Sequence, residues 1–252
     1  MGASHRLAQS EGHRTARLAA GAAALALGAH YLPSPAVLGQ WTSLQALPGG
    51  LCRWQGPPSR QRVAITFDDG PDPRATPAVL DGLDVLGLRA TFFPLGSLVE
   101  RTPDLVWEVL RRGHQVGTHG YRHFHHLART PRWVSRDLAA ADRAMAAVGV
   151  RATWYRPTYG QVTSATLVAA GRHRWQTVLW SAWGREWATS DPDEVAARII
   201  RRLRPGAVVL LHDNDAFGPT GMWRVGLAAL GEVAAELERR QLEAVTLDEL
   251  LC

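Results

Sequence analysis

The chain has 252 residues, 46% hydrophobic and 20% charged, with a formal net charge of +5, which suits one large α/β domain or two small ones folded around a real core. All 28 basic residues are arginine, so Schiff-base and lysine-nucleophile chemistry are excluded. No ribonucleoprotein sequence or cysteine–histidine finger accompanies the basic excess, so no nucleic-acid partner is expected. The two cysteines, Cys52 and Cys252, flank most of the chain, as a clasp or as two free thiols; their spacing is no metal motif.

Residues 1–32 place Arg6, Arg14 and Arg17 before an apolar run from Leu18 to Ala29. That is the order of an export signal, and the run is shorter than the about 20 residues of a spanning helix. The expectation is a cleaved signal peptide or a membrane anchor, and hence a secreted or envelope-attached protein. Residues 33–60, with several prolines and glycines and no period, read as a linker, and residues 61–252 as the folded domain.

RVAITF (62–67) is apolar and β-branched and reads as a buried strand. An amphipathic stretch, 76–86, follows it. ATFFPL (90–95) is the second strand, and a helix then opens on Pro103 and stops at Gly113. QVGTH (115–119) is the third strand, followed by a long helix from Thr130-Pro131 to about Val148. TWYR (153–156), a short helix at 163–170 and QTVLW (176–180) come next. Asp191-Pro192 starts a helix to Leu203, GAVVLLH (206–212) is the sixth strand, 223–240 is helical, and EAVT (243–246) begins a seventh. About seven strand–helix alternations indicate a parallel α/β architecture, either a barrel or an open sheet. Neither G-x-G-x-x-G nor G-x-x-x-x-G-K is present, so dinucleotide and P-loop readings lose their support.

The unusual polar residues sit at the carboxyl ends of strands, the edge that carries the active site in parallel α/β folds. Asp68 and Asp69 follow the first strand, in DDGP, which by itself is also ordinary turn chemistry. His119 and His123 follow the third, Arg156 the fourth, Trp183, Glu186 and Trp187 the fifth, and His212, Asp213 and Asp215 the sixth. The two histidines, four apart and on a tight loop or single turn, make with one of the aspartates a facial site for zinc or another divalent first-row metal. The second aspartate is then free to take a proton from a metal-held water. His212 is placed to protonate an amine leaving group, and Arg156 to pair with a site carboxylate. Asp213 and Asp215 read as solvated or capping residues.

TFDDGPD, HGYRH, RPTYG, WGREW and LLHD stand in the order and spacing of the polysaccharide deacetylase family, the NodB homology domain of carbohydrate esterase family 4, which the chain resembles from about Arg62 to Leu250. The resemblance implies a distorted (β/α) barrel and metal-dependent removal of acetyl groups from sugars, with residues 61–252 as the catalytic domain. By motif position Asp68 resembles the base, Asp69, His119 and His123 the metal ligands, His212 the acid, and Arg156 the residue that orients the base. The N–H of Tyr159 resembles an oxyanion donor, and Trp187 and Leu210 the walls around the acetyl methyl. Four positions depart from the pattern. Gly120 replaces the usual Ser or Thr, and Thr158 the usual proline. Trp183 and Glu186 replace two aspartates, the second of which commonly supports the acidic histidine. Glu186 keeps the charge with a longer side chain, and Trp183 offers a platform for a sugar ring or a core contact.

These residues lead to a hydrolase that uses one divalent ion, zinc first with cobalt or nickel as alternatives, on N-acetylhexosamine glycans or glycoconjugates. A non-catalytic glycan-binding protein and a deacylase or deformylase of a lipid-linked sugar are the competing expectations. The latter draws on the N-terminal segment as a membrane contact.

Overall fold

The computed structural model describes residues 52–252. The expected signal or anchor and most of the expected linker lie outside the described residues. The strands are β1 (Cys52–Arg53), β2 (Arg62–Asp68), β3 (Ala90–Phe93), β4 (Gln115–Val116), β5 (Trp154–Tyr155), β6 (Gln176–Val178), β7 (Ala182–Trp183), β8 (Val208–His212) and β9 (Glu243–Val245). The helices are α1 (Ala75–Leu86), α2 (Gly96–Val99), α3 (Pro103–Arg111), α4 (Pro131–Ala147), α5 (Ser164–Arg172), α6 (Pro192–Ile200), α7 (Met222–Arg239) and α8 (Leu247–Leu251). None of the described helices is long and apolar enough to cross a membrane.

Every strand pair is parallel. One sheet runs β4-β3-β2-β8-β7 with β9 also on β2, and a second runs β1-β6-β5. Two isolated bridges join the sheets into a distorted (β/α) barrel: Thr118 with Tyr155 on one side and Gln55 with Ala207 on the other. Two strands exceed the seven expected. β1 belongs to the stretch read as linker, yet Cys52 and Arg53 pair with Thr177 and Val178, and the Gly56 N–H donates to Gly206 O at 2.7 Å. β7 arises because the chain after Val178 changes sheets: the Leu179 N–H bonds Arg53 O, and two residues later the Ser181 N–H bonds Val208 O. Cys52 and Cys252 are free thiols.

Alternation along β2 sets the two layers. Val63, Ile65 and Phe67 pack outward with Val79, Leu80 and Leu83 of α1 in the larger core, while Ala64 joins Phe93, Trp154 and Val208 in the inner one. Asp68 shares the inner face of Ala64 and Thr66, and is brought into register with His212 of β8 and Phe93 of β3. The helices begin where the sequence carries caps. Thr130 accepts from the Trp133 N–H ahead of Pro131, and Asp191 from the Asp193 N–H ahead of Pro192.

Candidate active site

Adjacent residues of a strand point to opposite faces, but Asp68 and Asp69 face the same cleft. Asp69 has φ 75°, a left-handed conformation that ends the strand and turns its carboxylate back. The Asn214 amide holds this turn by donating to Asp69 O at 3.0 Å. Gly70 completes it, since a Cβ there would stand 2.3 Å from the Asp213 carboxylate.

The two carboxylates have different partners. Asp68 Oδ1 lies 2.8 Å from Arg156 Nη1. The guanidinium is fully buried and also donates to Thr66 Oγ1 at 2.6 Å and Leu179 O at 3.1 Å. Asp68 Oδ2 is left facing His119 Nε2 at 3.9 Å. Asp69 Oδ1 lies 3.4 Å from His119 Nε2 and 3.2 Å from His123 Nε2. Burial opposes ionisation of Asp69, yet the imidazoles of His119 and His123 beside it, with His212, hold its carboxyl far below the usual carboxylate range.

The donor set fits a divalent cation. Ligand atoms of Asp69, His119 and His123 all lie within 4.8 Å of one another. Asp69 Oδ1 is buried and unpaired by any hydrogen bond. The His119 Nδ1–H donates to Arg156 O at 2.7 Å, so in the neutral, metal-binding ring Nε2 presents its lone pair to the same point as that anionic oxygen. Two imidazole nitrogens and one carboxylate, with the distal nitrogen fixed by a carbonyl, suit zinc, cobalt or nickel. The H-x-x-x-H pair lies on a loop, as its position after a strand predicts.

Opposite this cluster, His212 Nε2 lies 4.0 Å from Asp69 Oδ2 and its Nδ1 meets Glu186 Oε1 at 2.7 Å. The longer side chain of Glu186 therefore reaches the histidine. Burial disfavours the imidazolium, but the Glu186 carboxylate, with Asp69 and Asp68 beyond it, pushes His212 up to about 9. With the Nδ1–H donating to Glu186, this shift favours the imidazolium, which has a second N–H at Nε2.

These groups line a cleft of about 390 Å³, walled by Trp183, Trp187, Leu210 and Tyr159. The Trp187 and His212 rings meet edge to face with centroids 5.7 Å apart. Trp183 contacts Trp180 and Trp187 and forms part of the wall. Tyr159, at φ 56°, packs flat on His125 with centroids 3.6 Å apart. The Thr158 hydroxyl donates to Phe124 O at 2.5 Å, tying this turn to the histidine loop. The eleven residues expected to act in catalysis, metal binding or the cleft wall thus meet at one cleft or directly behind it.

Asp213 corrects one expectation. It is buried rather than solvated, receives the Thr76 hydroxyl at 2.6 Å, and burial pushes its carboxyl up to about 7, with Asp69 adding to the rise. Asp215 accepts the Gly221 N–H at 2.7 Å, just ahead of α7, and gives that helix no side-chain cap. Phe217 was not anticipated. It stacks on His123 with centroids 4.2 Å apart and stands on the cleft's rim; no periodicity or motif marks it in the sequence. Trp180 and Met222 line the cleft in the same unmarked way.

A family model described as "Polysaccharide deacetylase" matches residues 55–178. A peptidoglycan-N-acetylglucosamine deacetylase of Bacillus cereus is 34% identical over 209 residues, 81% of this chain and 94% of that protein. A chitooligosaccharide deacetylase of Bradyrhizobium sp. is 35% identical over 154 residues, 60% of this chain and 70% of that protein. Among solved structures, a peptidoglycan N-acetylglucosamine deacetylase in complex with a naphthyl N-oxidanyl-benzamide superposes with a TM-score of 0.77 at 27% identity. That match covers 84% of this chain and 97% of the other.

Proposed function

Because this chain belongs to the polysaccharide deacetylase family, we propose that it removes N-acetyl groups from N-acetylhexosamine residues of a glycan, by metal-assisted amide hydrolysis. The observation that carries this reading is the division of labour around one cleft: Asp68 held by Arg156, Asp69 with two histidines, and His212 on Glu186 opposite. The Bacillus cereus relative's name supports peptidoglycan as the glycan, and the Bradyrhizobium relative's name supports chitin oligomers.

Asp69, His119 and His123 would hold a divalent cation, which when bound would supply Lewis-acid activation of the attacking water and the acetyl carbonyl. The protein's own groups move the protons. Asp68, with Oδ1 tied to Arg156, uses Oδ2 to take a proton from water as its oxygen bonds to the carbonyl carbon. The Tyr159 N–H faces the carbonyl oxygen as charge develops there. His212 Nε2 gives its proton to the amide nitrogen as the C–N bond breaks, so acetate and a free amine leave. Trp187 and Leu210 enclose the methyl, and Trp183 offers a face to the sugar ring. The N-terminal basic and apolar segments support export to the cell envelope as part of the same reading.

The test is acetate release, with appearance of a primary amine, from N-acetylated oligosaccharides and peptidoglycan, using protein loaded with zinc, cobalt or nickel. Binding of these glycans without acetate release by a metal-loaded protein overturns the hydrolase in favour of a binding protein. Release of another acyl group from a lipid-linked sugar redirects the substrate assignment.

A further inference from the structure

The histidine loop forms neither helix nor strand between Gly120 and His125, so its shape depends on what its backbone bonds to. One flank is secured by chain neighbours of β3: the Gly96 N–H donates to Gly120 O at 2.8 Å, and the Ser97 N–H to Tyr121 O at 3.0 Å. The N–H of Tyr121, between the two metal-ligating histidines, is taken by a side chain from α4. Tyr121 N–H donates to Asp137 Oδ2 at 3.0 Å.

Asp137 is an acid in an apolar setting. It is 6% exposed and shares its helix face with Val134, Leu138 and Ala141. Burial of a carboxylate is costly unless hydrogen bonds offset it, and here the offsetting bond comes from the loop backbone. Gly120 makes the approach possible: at φ +90°, a Cβ there would lie 3.2 Å from Asp137 Oδ2. Glycine also brings no side chain of its own to brace the loop; its N–H meets Thr118 Oγ1 at 3.4 Å, and Asp137 is the acceptor for the next amide, that of Tyr121.

We propose that Asp137 is a positioning residue for the metal site, fixing through the Tyr121 amide the separation and aim of His119 and His123. The inference rests on the metal-site reading above. Groups behind the ligands tune affinity by holding them in place before the ion arrives, and Asp137 does this through the backbone rather than by touching an imidazole.

The test compares native protein with Asp137→Leu and Asp137→Asn. Zinc affinity is measured by chelator competition, the cobalt form by visible absorption, and folding by the melting of metal-free protein. Leucine removes the acceptor, and zinc affinity should fall by about 10–100-fold with an altered cobalt spectrum. Asparagine keeps an acceptor oxygen and should stay within a few-fold of native. If Asp137→Leu does not fold, Asp137→Ala gives the same reading with less bulk. A folded leucine or alanine variant with native zinc affinity and cobalt spectrum overturns the inference alone, as does an asparagine variant no better than leucine. Native protein that binds no metal overturns this inference and the metal-site reading together.

Discussion

Glu186 Oε1 and His212 Nδ1 lie 2.7 Å apart, joining the segment after β7 to the end of β8 beneath the cleft floor. Glu186 is 1% exposed, so its charge acts on the imidazole with little screening by solvent. The extra methylene of glutamate is absorbed by the path of the 3-10 turn Glu186–Ala188, which starts from a left-handed Arg185 at φ 57°. The pair explains why the imidazolium is favoured in a buried histidine.

Glu186→Gln keeps a hydrogen-bonding side chain but removes that charge. Turnover should fall by about 10²–10⁴-fold, the range of a lost general acid, with KM nearly unchanged. The alkaline limb of the pH–rate profile should move to lower pH, because the Glu186 charge that raises the imidazole is gone. An unshifted limb in the variant would remove His212 from the acid role.

Asp68→Asn and Asp69→Asn should separate two carboxylates that are adjacent in the chain. Asp68→Asn loses the base and should cut turnover by about 10²–10⁴-fold while zinc content stays near native. It also leaves the Arg156 guanidinium buried without its anion, so a stability loss of about 3 kcal/mol should accompany it. Asp69→Asn should lose the metal. Metal content by elemental analysis beside acetate release distinguishes the two; loss of metal in both variants would argue against a separate base.

In metal-stripped protein two groups, His212 and Asp213, should each contribute less stability as pH rises. His212 titrates higher in the folded state than its ordinary 6.5, so its contribution is complete below that value and is lost as pH passes about 9. Asp213 is raised from 3.8 to about 7, so the folded state favours its protonated form, and that contribution is lost as pH passes about 7. Urea midpoints at intervals across this range test the slope. Asp213→Asn should flatten its lower part, and Glu186→Gln its upper part.

Trp183→Ala opens the cleft wall without touching a proton-transfer group. KM for an N-acetylated oligosaccharide should rise by about 10-fold, the scale of one lost aromatic contact, with kcat within a few-fold. Steady-state kinetics on one glycan decides it: an unchanged KM would make Trp183 a packing partner of Trp180 and Trp187 only.

Much of this was legible in the chain because it is encoded locally. A β-branched run makes β2, Thr130 and Asp191 ahead of prolines start α4 and α6, and a parallel alternation puts strand ends on one rim. The ordered motifs then mark Asp68, Asp69, His119, His123, Arg156 and His212 without any knowledge of distance. Packing decided the rest. The left-handed turn at Asp69 that makes neighbouring carboxylates face one cleft depends on Asn214, far along the chain. β1 and β7 exist because short segments find hydrogen-bond partners across the barrel, not because two residues carry strand propensity. Asp213 is buried by Thr76 and Gly70, Phe217 reaches His123 from the loop after β8, and Asp137 meets the histidine loop from a helix. Residue type and period act over a few positions, so they specify elements and chemistry. Which side chains lie within about 3 Å of one another is set by closure of the barrel, which only the folded chain possesses.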